Sequence, residues 1–219
     1  MSVDPSWKDA YKITGLSLLV SGAILIAFIA GVIATQQELP PPAEEALDDP
    51  DFLVGLFIVA IVGELLLLPG VLGLYLSLKE VDKSRMLMAS ALWSTAVFMF
   101  LVSRALIISL LPLSDLYTSA SSDMQATYLA LAEYAIELEN IFATTALILL
   151  SLASIIIGWI MLKTDIYDNR LGYLTMAAGV YTVFTPFAVV MGFVLLGFIG
   201  LILTLAWQLW AGVVLYKLG

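Results

Sequence analysis

The chain has 219 residues, 62% of them hydrophobic and 12% charged, with a mean hydropathy of +1.04, which excludes an ordinary water-soluble domain of that length. Its net charge of -9, from 18 acids against 9 Lys and Arg, excludes nucleic acid as a partner, because no basic patch remains to neutralise phosphates. Cys and His are both absent, which excludes disulfides, zinc sites built on Cys or His, imidazole-ligated haem, and thiol or histidine catalysis within the chain.

In chain order, the first apolar run covers residues 11-34, with Lys8 just before it and Lys12 at its very start. It is too long for a typical signal-peptide core and reads as a retained span. Ala23, Ala27, Ala30 and Ala34, with Gly31 beside them, form a ridge of small residues on which another helix can pack closely. An acidic outer loop follows at 35-51. Pro40, Pro41 and Pro42 favour a polyproline II stretch there, and the loop's acids lack the glycine-containing spacing of an EF-hand. The second run covers 52-78 and the third 86-111, joined by a short turn holding Lys79, Lys83 and Arg85. Pro69 and Gly70 predict a kink in the second helix.

From Ser121 to Asn140 no Gly or Pro interrupts the approach to the next apolar run, 139-162. Ser121 or Ser122 can cap a helix there, with Asp123 favourable in its first turn. The fourth helix therefore carries an outer extension over 121-138. Its total of about 40 residues is roughly 60 Å, far more than a bilayer needs. Glu133, Glu137, Asn140 and Thr144 recur at helical spacing and form one polar stripe entering from outside. The last two runs, 171-189 and 194-216, meet at a tight apolar turn around Met191 to Phe193. Thr182, Thr185 and Pro186 put hydroxyls and a kink into the fifth helix, while Trp207 and Trp210 read as interfacial anchors of the sixth.

All the Lys and Arg residues except Arg104 lie in alternate gaps between these runs: Lys8 and Lys12, then Lys79, Lys83 and Arg85, then Lys163 and Arg170, then Lys217. The intervening gaps hold no Lys or Arg and most of the acids. By the positive-inside rule the expected fold is all-α: a polytopic bundle of six transmembrane helices in the cell membrane, both termini cytoplasmic. Residues 1-219 form one integral membrane domain. No Lys lies deep inside a span, Lys12 standing at the very start of the first, which argues against a retinal Schiff base. No cofactor or metal is expected, and any metal would be a hard ion held by carboxylates and carbonyls.

Arg104 is the exception, and its depth defines the candidate site. Counting from the cytoplasmic end of each helix, Arg104 lies roughly 28 Å up, Glu64 roughly 21 Å, Thr144 roughly 28 Å, Asn140 roughly 34 Å and Glu137 roughly 39 Å. An arginine facing lipid at that depth costs at least ~2.5 kcal/mol, so it is expected to face the bundle interior and find a carboxylate, with two possible carboxylate levels around it. Three readings stay open. Glu64 and Arg104 form a structural ion pair; or Arg104, Glu64, Glu137, Asn140, Thr144 and Thr185 line an outer pocket for a polar or anionic headgroup; or Glu64 relays protons.

Three stretches, Ile13 to Val20, Lys163 to Tyr181 and Trp207 to Gly219, together resemble an uncharacterised family of six-span prokaryotic integral membrane proteins catalogued as a domain of unknown function. The middle stretch is the most specific, with Arg170, Leu171 and Gly172 opening the fifth helix. Asp168 and Asn169 stand where the pattern has a proline before the arginine, and the outer loop and the long fourth helix are atypical. The resemblance implies the six-span fold and offers no activity. With no nucleophile, metal signature or cofactor motif, the chain is not expected to be an enzyme. The leading expectation is a helical scaffold or accessory subunit whose partners are the lipid bilayer and either other membrane subunits or a second copy of the chain. The alternative is small-molecule or lipid binding or transport at Arg104 and Glu64. A scaffold predicts a dry, fully paired interior, whereas a binder predicts that these two residues face a cavity.

Overall fold

The computed structural model describes residues 5-35, 41-190 and 194-219. Pro40 and the turn at 191-193 lie outside the described residues. Within them the regular structure is entirely helical: a short 3-10 turn, Pro5-Trp7, then α1 (Lys8-Thr35), α2 (Ala43-Asp48), α3 (Pro50-Leu65), α4 (Leu67-Leu78), α5 (Lys83-Ile108), α6 (Leu110-Ser119), α7 (Ser122-Met161), α8 (Asn169-Val190) and α9 (Val194-Leu218). Five stretches are long and apolar enough to cross a membrane: Lys8-Ala34, Pro50-Leu78, Lys83-Ser119, Ser122-Met161 and Ile199-Leu218. This is the character of a membrane protein.

The long helices close into a ring that follows chain order. α1 packs on α3 and α4, these on α5, α5 on α7, α7 on α8, α8 on α9, and α9 returns to α1. One end of the ring carries Lys8, Lys79, Lys83, Arg85, Lys163 and Lys217 and is termed the basic end; the opposite end is acidic. Towards the basic end the backbones approach closely. A Cβ on Gly158 would stand 2.6 Å from the carbonyl oxygen of Gly172, one on Gly212 would stand 3.0 Å from that of Gly15, and one on Gly73 would collide with Thr14. These glycines make close helix contacts within the ring. Ala23, Ala27, Ala30 and Ala34 are exposed, and Gly31 is half-buried, where an added Cβ would meet Leu56.

The same half holds the larger core. Trp93 of α5 meets Trp207 of α9 edge to face, with ring centroids 5.4 Å apart. Trp207 is 1% exposed and is therefore a core residue, in contrast to its expected place as an interfacial anchor. It shares one face of α9 with the buried Ala211 and Leu215, each four residues on, so the ring interior claims it. Trp210, on another face, is exposed.

The second spanning helix breaks at Leu66, between α3 and α4. Pro69 accounts for the break, since it has no N-H to offer the carbonyl of Leu65 and its ring crowds that turn. At the acidic end the structure departs from the expected loops in two places. α6 continues α5 through Pro112, which occupies the first turn of α6, where its missing N-H costs nothing. α2 interrupts the acidic segment and packs against α6 and α7, with Leu47 and Ala46 in a second core beside Phe57, Ile107, Leu110 and Ile136. Ser114 of α6 donates to the Leu47 carbonyl at 2.5 Å. α7 is a single helix of 40 residues, as the uninterrupted sequence from Ser121 predicts.

Candidate functional site

Each spanning helix presents to the ring interior a stripe of residues spaced alternately three and four apart, the period of a packed helix face. On α3 that stripe includes Leu53, Phe57, Ala60 and Glu64; on α5, Trp93, Val97, Phe100, Arg104 and Ile107; on α7, Ala132, Ile136, Glu139, Ala143 and Ala146. One charged residue interrupts each of these three apolar stripes, and the three interruptions meet. Arg104 Nε donates to Glu64 Oε1 at 3.0 Å, its Nη2 lies 2.9 Å from the same oxygen, and its Nη1 donates to Glu139 Oε1 at 2.7 Å. The three side chains are only 10-13% exposed. The guanidinium carbon also lies 4.8 Å from the centre of the Phe57 ring and 5.5 Å from that of Phe100, within cation-π range. Glu64 Oε2 is buried without a hydrogen-bond partner.

Glu64 and Arg104 of the triad border a cavity of about 370 Å³ lined by residues from all six long helical segments of the ring. Its wall is mostly apolar: Ile24, Leu25 and Phe28 from α1, Leu67 from α4, Phe100 from α5, Leu147 and Leu150 from α7, and Leu201 from α9. The polar groups on the wall are Glu64, Arg104, Ser21, Thr182, Thr185, Thr204 and Gln208. Several are already engaged. Gln208 Nε2 donates to the Leu18 carbonyl at 3.2 Å and to Ser21 Oγ at 3.1 Å. The Thr182 and Thr204 hydroxyls pair at 3.2 Å, and Thr185 donates to the Tyr181 carbonyl.

Of the residues singled out in the sequence, Arg104, Glu64 and Thr185 stand on the cavity wall. Glu133, Glu137 and Asn140 are exposed on α7 and Thr144 is half-buried, none of them on that wall. The upper carboxylate level belongs to Glu139, which the regular polar stripe obscured. By the same rise per residue Glu139 lies roughly 35 Å up, so the guanidinium bridges one acid about 7 Å below it and another about 7 Å above. The signal that finds Glu139 is an acid falling on an apolar stripe, whereas the regularly spaced acids of α7 mark the solvated face. Gln208 and Ser21 carry no comparable signal, because a single amide or hydroxyl on a span is common in helix packing.

At the basic end the polar groups serve packing. The Tyr167 hydroxyl, in the turn between α7 and α8, pairs with Ser77 Oγ at 2.7 Å, and burial pushes its phenol well above the ordinary value. Lys163 Nζ and the Arg85 guanidinium lie 3.7 and 4.3 Å from the centre of the Trp159 ring.

The family model described as a domain of unknown function (DUF4386) matches residues 13-215, and the chain belongs to that family. No curated protein and no solved structure matches it.

Proposed function

We propose that this family member is a six-span protein of the cell membrane, with both termini cytoplasmic, that binds a small molecule or lipid in its central cavity beside Glu64 and Arg104. The observation that carries the reading is the cavity itself: an interior built only for scaffolding has no reason to keep about 370 Å³ open against two charged residues, since interiors close to near-crystalline density. The sixth span is α8, whose 22 residues suffice to cross the hydrocarbon core. The gathering of Lys and Arg at one end of the ring supports the orientation. Binding, with or without movement across the membrane, is the activity assigned; no chemical step is.

The exposed alanines of α1 favour a second reading, an accessory subunit docked through that helix. One experiment separates the two. The protein is purified gently from its native membrane, alongside an Ala143→Phe variant that fills the cavity, and everything retained is identified by mass spectrometry. A lipid or metabolite held by wild type and lost from the folded variant supports the binding reading. Protein partners alone, retained by both, would replace it with the accessory role.

A further inference from the structure

The charge count of the triad narrows the ligand class. Two carboxylates share one guanidinium, whose Nε, Nη1 and Nη2 all meet carboxylate oxygens, so the fully ionised cluster carries one net negative charge. The other elements packed around the cavity bring no compensation: α1 contributes Ser21 and apolar side chains, α8 contributes Thr182 and Thr185, and α9 contributes Leu201, Thr204 and Gln208. A buried charge without a partner is strongly unfavourable. Something positive must therefore close the balance, and the alternatives are a proton or a bound cation. The same count disfavours an anionic headgroup, which Arg104 alone would attract.

Two further observations choose among cations. Glu64, which stands on the wall, has the unpartnered Oε2, whereas Glu139 is not on the wall. Among the described residues no group of three or more Asp and Glu side chains is placed to hold a metal ion, so the carboxylate-rich shell favoured by a divalent hard cation is not built here. The wall instead offers Phe28 and Phe100 rings and aliphatic side chains around one carboxylate, surroundings suited to a large cation whose apolar groups carry a diffuse charge.

We propose that the cavity takes a lipophilic monovalent organic cation, such as a substituted ammonium or phosphonium, and that this cation displaces a proton held by Glu64. The inference rests on the cavity's being a binding site. In the exchange the Glu64 O-H bond breaks, its electron pair stays on the carboxylate, the proton leaves to solvent and the cation takes over the charge balance. Cation and proton are thus competitors for one negative charge, and acidification weakens cation binding by up to tenfold per pH unit.

The test is isothermal titration calorimetry of the full chain in detergent with tetraphenylphosphonium, beside the nearly isosteric anion tetraphenylborate. The expected result is binding of the phosphonium at least about tenfold tighter than the borate, consistent with one charge contact in a low-dielectric site. About one proton is released per cation bound, read from buffers of different ionisation enthalpy. Glu64→Gln and Glu139→Gln each neutralise the triad, so each is expected to weaken the phosphonium at least tenfold and abolish proton release. Glu139→Gln matters most, because it changes the charge count without touching the cavity wall. Equal binding of both ions, or a folded Glu139→Gln that binds the phosphonium like wild type, overturns the charge assignment while leaving the cavity as an apolar binding site. If neither ion binds, the proposal also falls, and retention of a co-purified molecule in wild type but not Ala143→Phe decides separately whether the cavity binds anything.

Discussion

The two halves of the ring solve opposite problems with the same six long segments. Towards the basic end, glycines let backbones touch, Trp93 and Trp207 fill the centre, and no charged side chain among the described residues is buried. Towards the acidic end, larger side chains line the walls, space remains between the helices, and three charged groups lie inside. Close backbone contact leaves no room for a ligand and gives up nothing to desolvation. An open interior admits a ligand, but its charged groups must be held by one another. The half that is rigidly packed is thus the frame, and the half that carries buried charge is where differential chemistry is available.

The largest effect is expected where that difference is erased by removing Arg104. Arg104→Leu leaves Glu64 and Glu139 buried with no cation between them, and breaking a buried pair in this way costs about 3-5 kcal/mol. Thermal unfolding in detergent checks this; a loss under about 1 kcal/mol would mean that water reaches the triad freely. Slightly less is expected from the Glu64→Gln, Glu139→Gln double variant, which strands Arg104 as the unbalanced charge. Each single variant keeps an amide oxygen for Arg104 to donate to and leaves one guanidinium against one carboxylate, so each shifts stability by less than about 1 kcal/mol. The prediction is a strongly non-additive cycle, with the double cost well above the sum of the singles. Additive singles would remove the charge-count argument.

The packed half is broken by adding volume and the open half is not. Gly158→Val drives a methyl-bearing Cβ against the Gly172 carbonyl and the backbone nitrogen of Met176, and overpacking of that kind costs about 1-3 kcal/mol. Ala143→Phe adds more atoms but places them beside the cavity, where stability is expected to stay level or rise. Destabilisation by Ala143→Phe as large as that by Gly158→Val in the same unfolding assay would show that the cavity is an occupied or collapsed region of the native protein.

How much of this was legible follows from what each feature depends on. The membrane character, in five of the apolar runs, and the exceptional status of Arg104 were readable because lipid demands about 20 apolar residues in a row and penalises an unpaired charge. The Glu64 partner followed from depth alone. Glu139 was missed because three regularly spaced polar neighbours, Glu133, Glu137 and Asn140, drew the polar face of α7 elsewhere; only the register of Ala132, Ile136 and Ala143 identifies the inward stripe. α6 was missed because Pro112 reads as a breaker unless a helix is known to restart just before it. The inward place of Trp207 follows from its spacing from Ala211 and Leu215, which outweighs the interfacial preference of its residue type. The cavity is a property of six segments together, and no single stretch of sequence encodes it.

The smallest effect concerns acid at the basic end, where titration acts only at the surface. Asp82 is the N-cap of α5: its Oδ1 accepts from the Arg85 backbone N-H at 3.2 Å and its Oδ2 from the Arg85 side chain at 2.5 Å. The backbone hydrogen bond first, and then the side-chain one, hold its carboxyl below the ordinary aspartate range. A carboxyl whose pKa is lowered on folding contributes stability above its unfolded value, about 4, and that contribution is lost as pH falls through the folded value. Comparison of wild type with Asp82→Ala isolates the effect, because acid acts on every other group in both proteins alike. Wild type is expected to unfold at a slightly higher temperature at pH 7, with the gap closing below about pH 4 as the cap is protonated. The pair lies at the surface, with the Asp82 side chain 19% and that of Arg85 47% exposed, so the gap is small and screened by salt. A gap that widened on acidification would reverse the assigned sign and place the carboxyl's stabilising form on the protonated side.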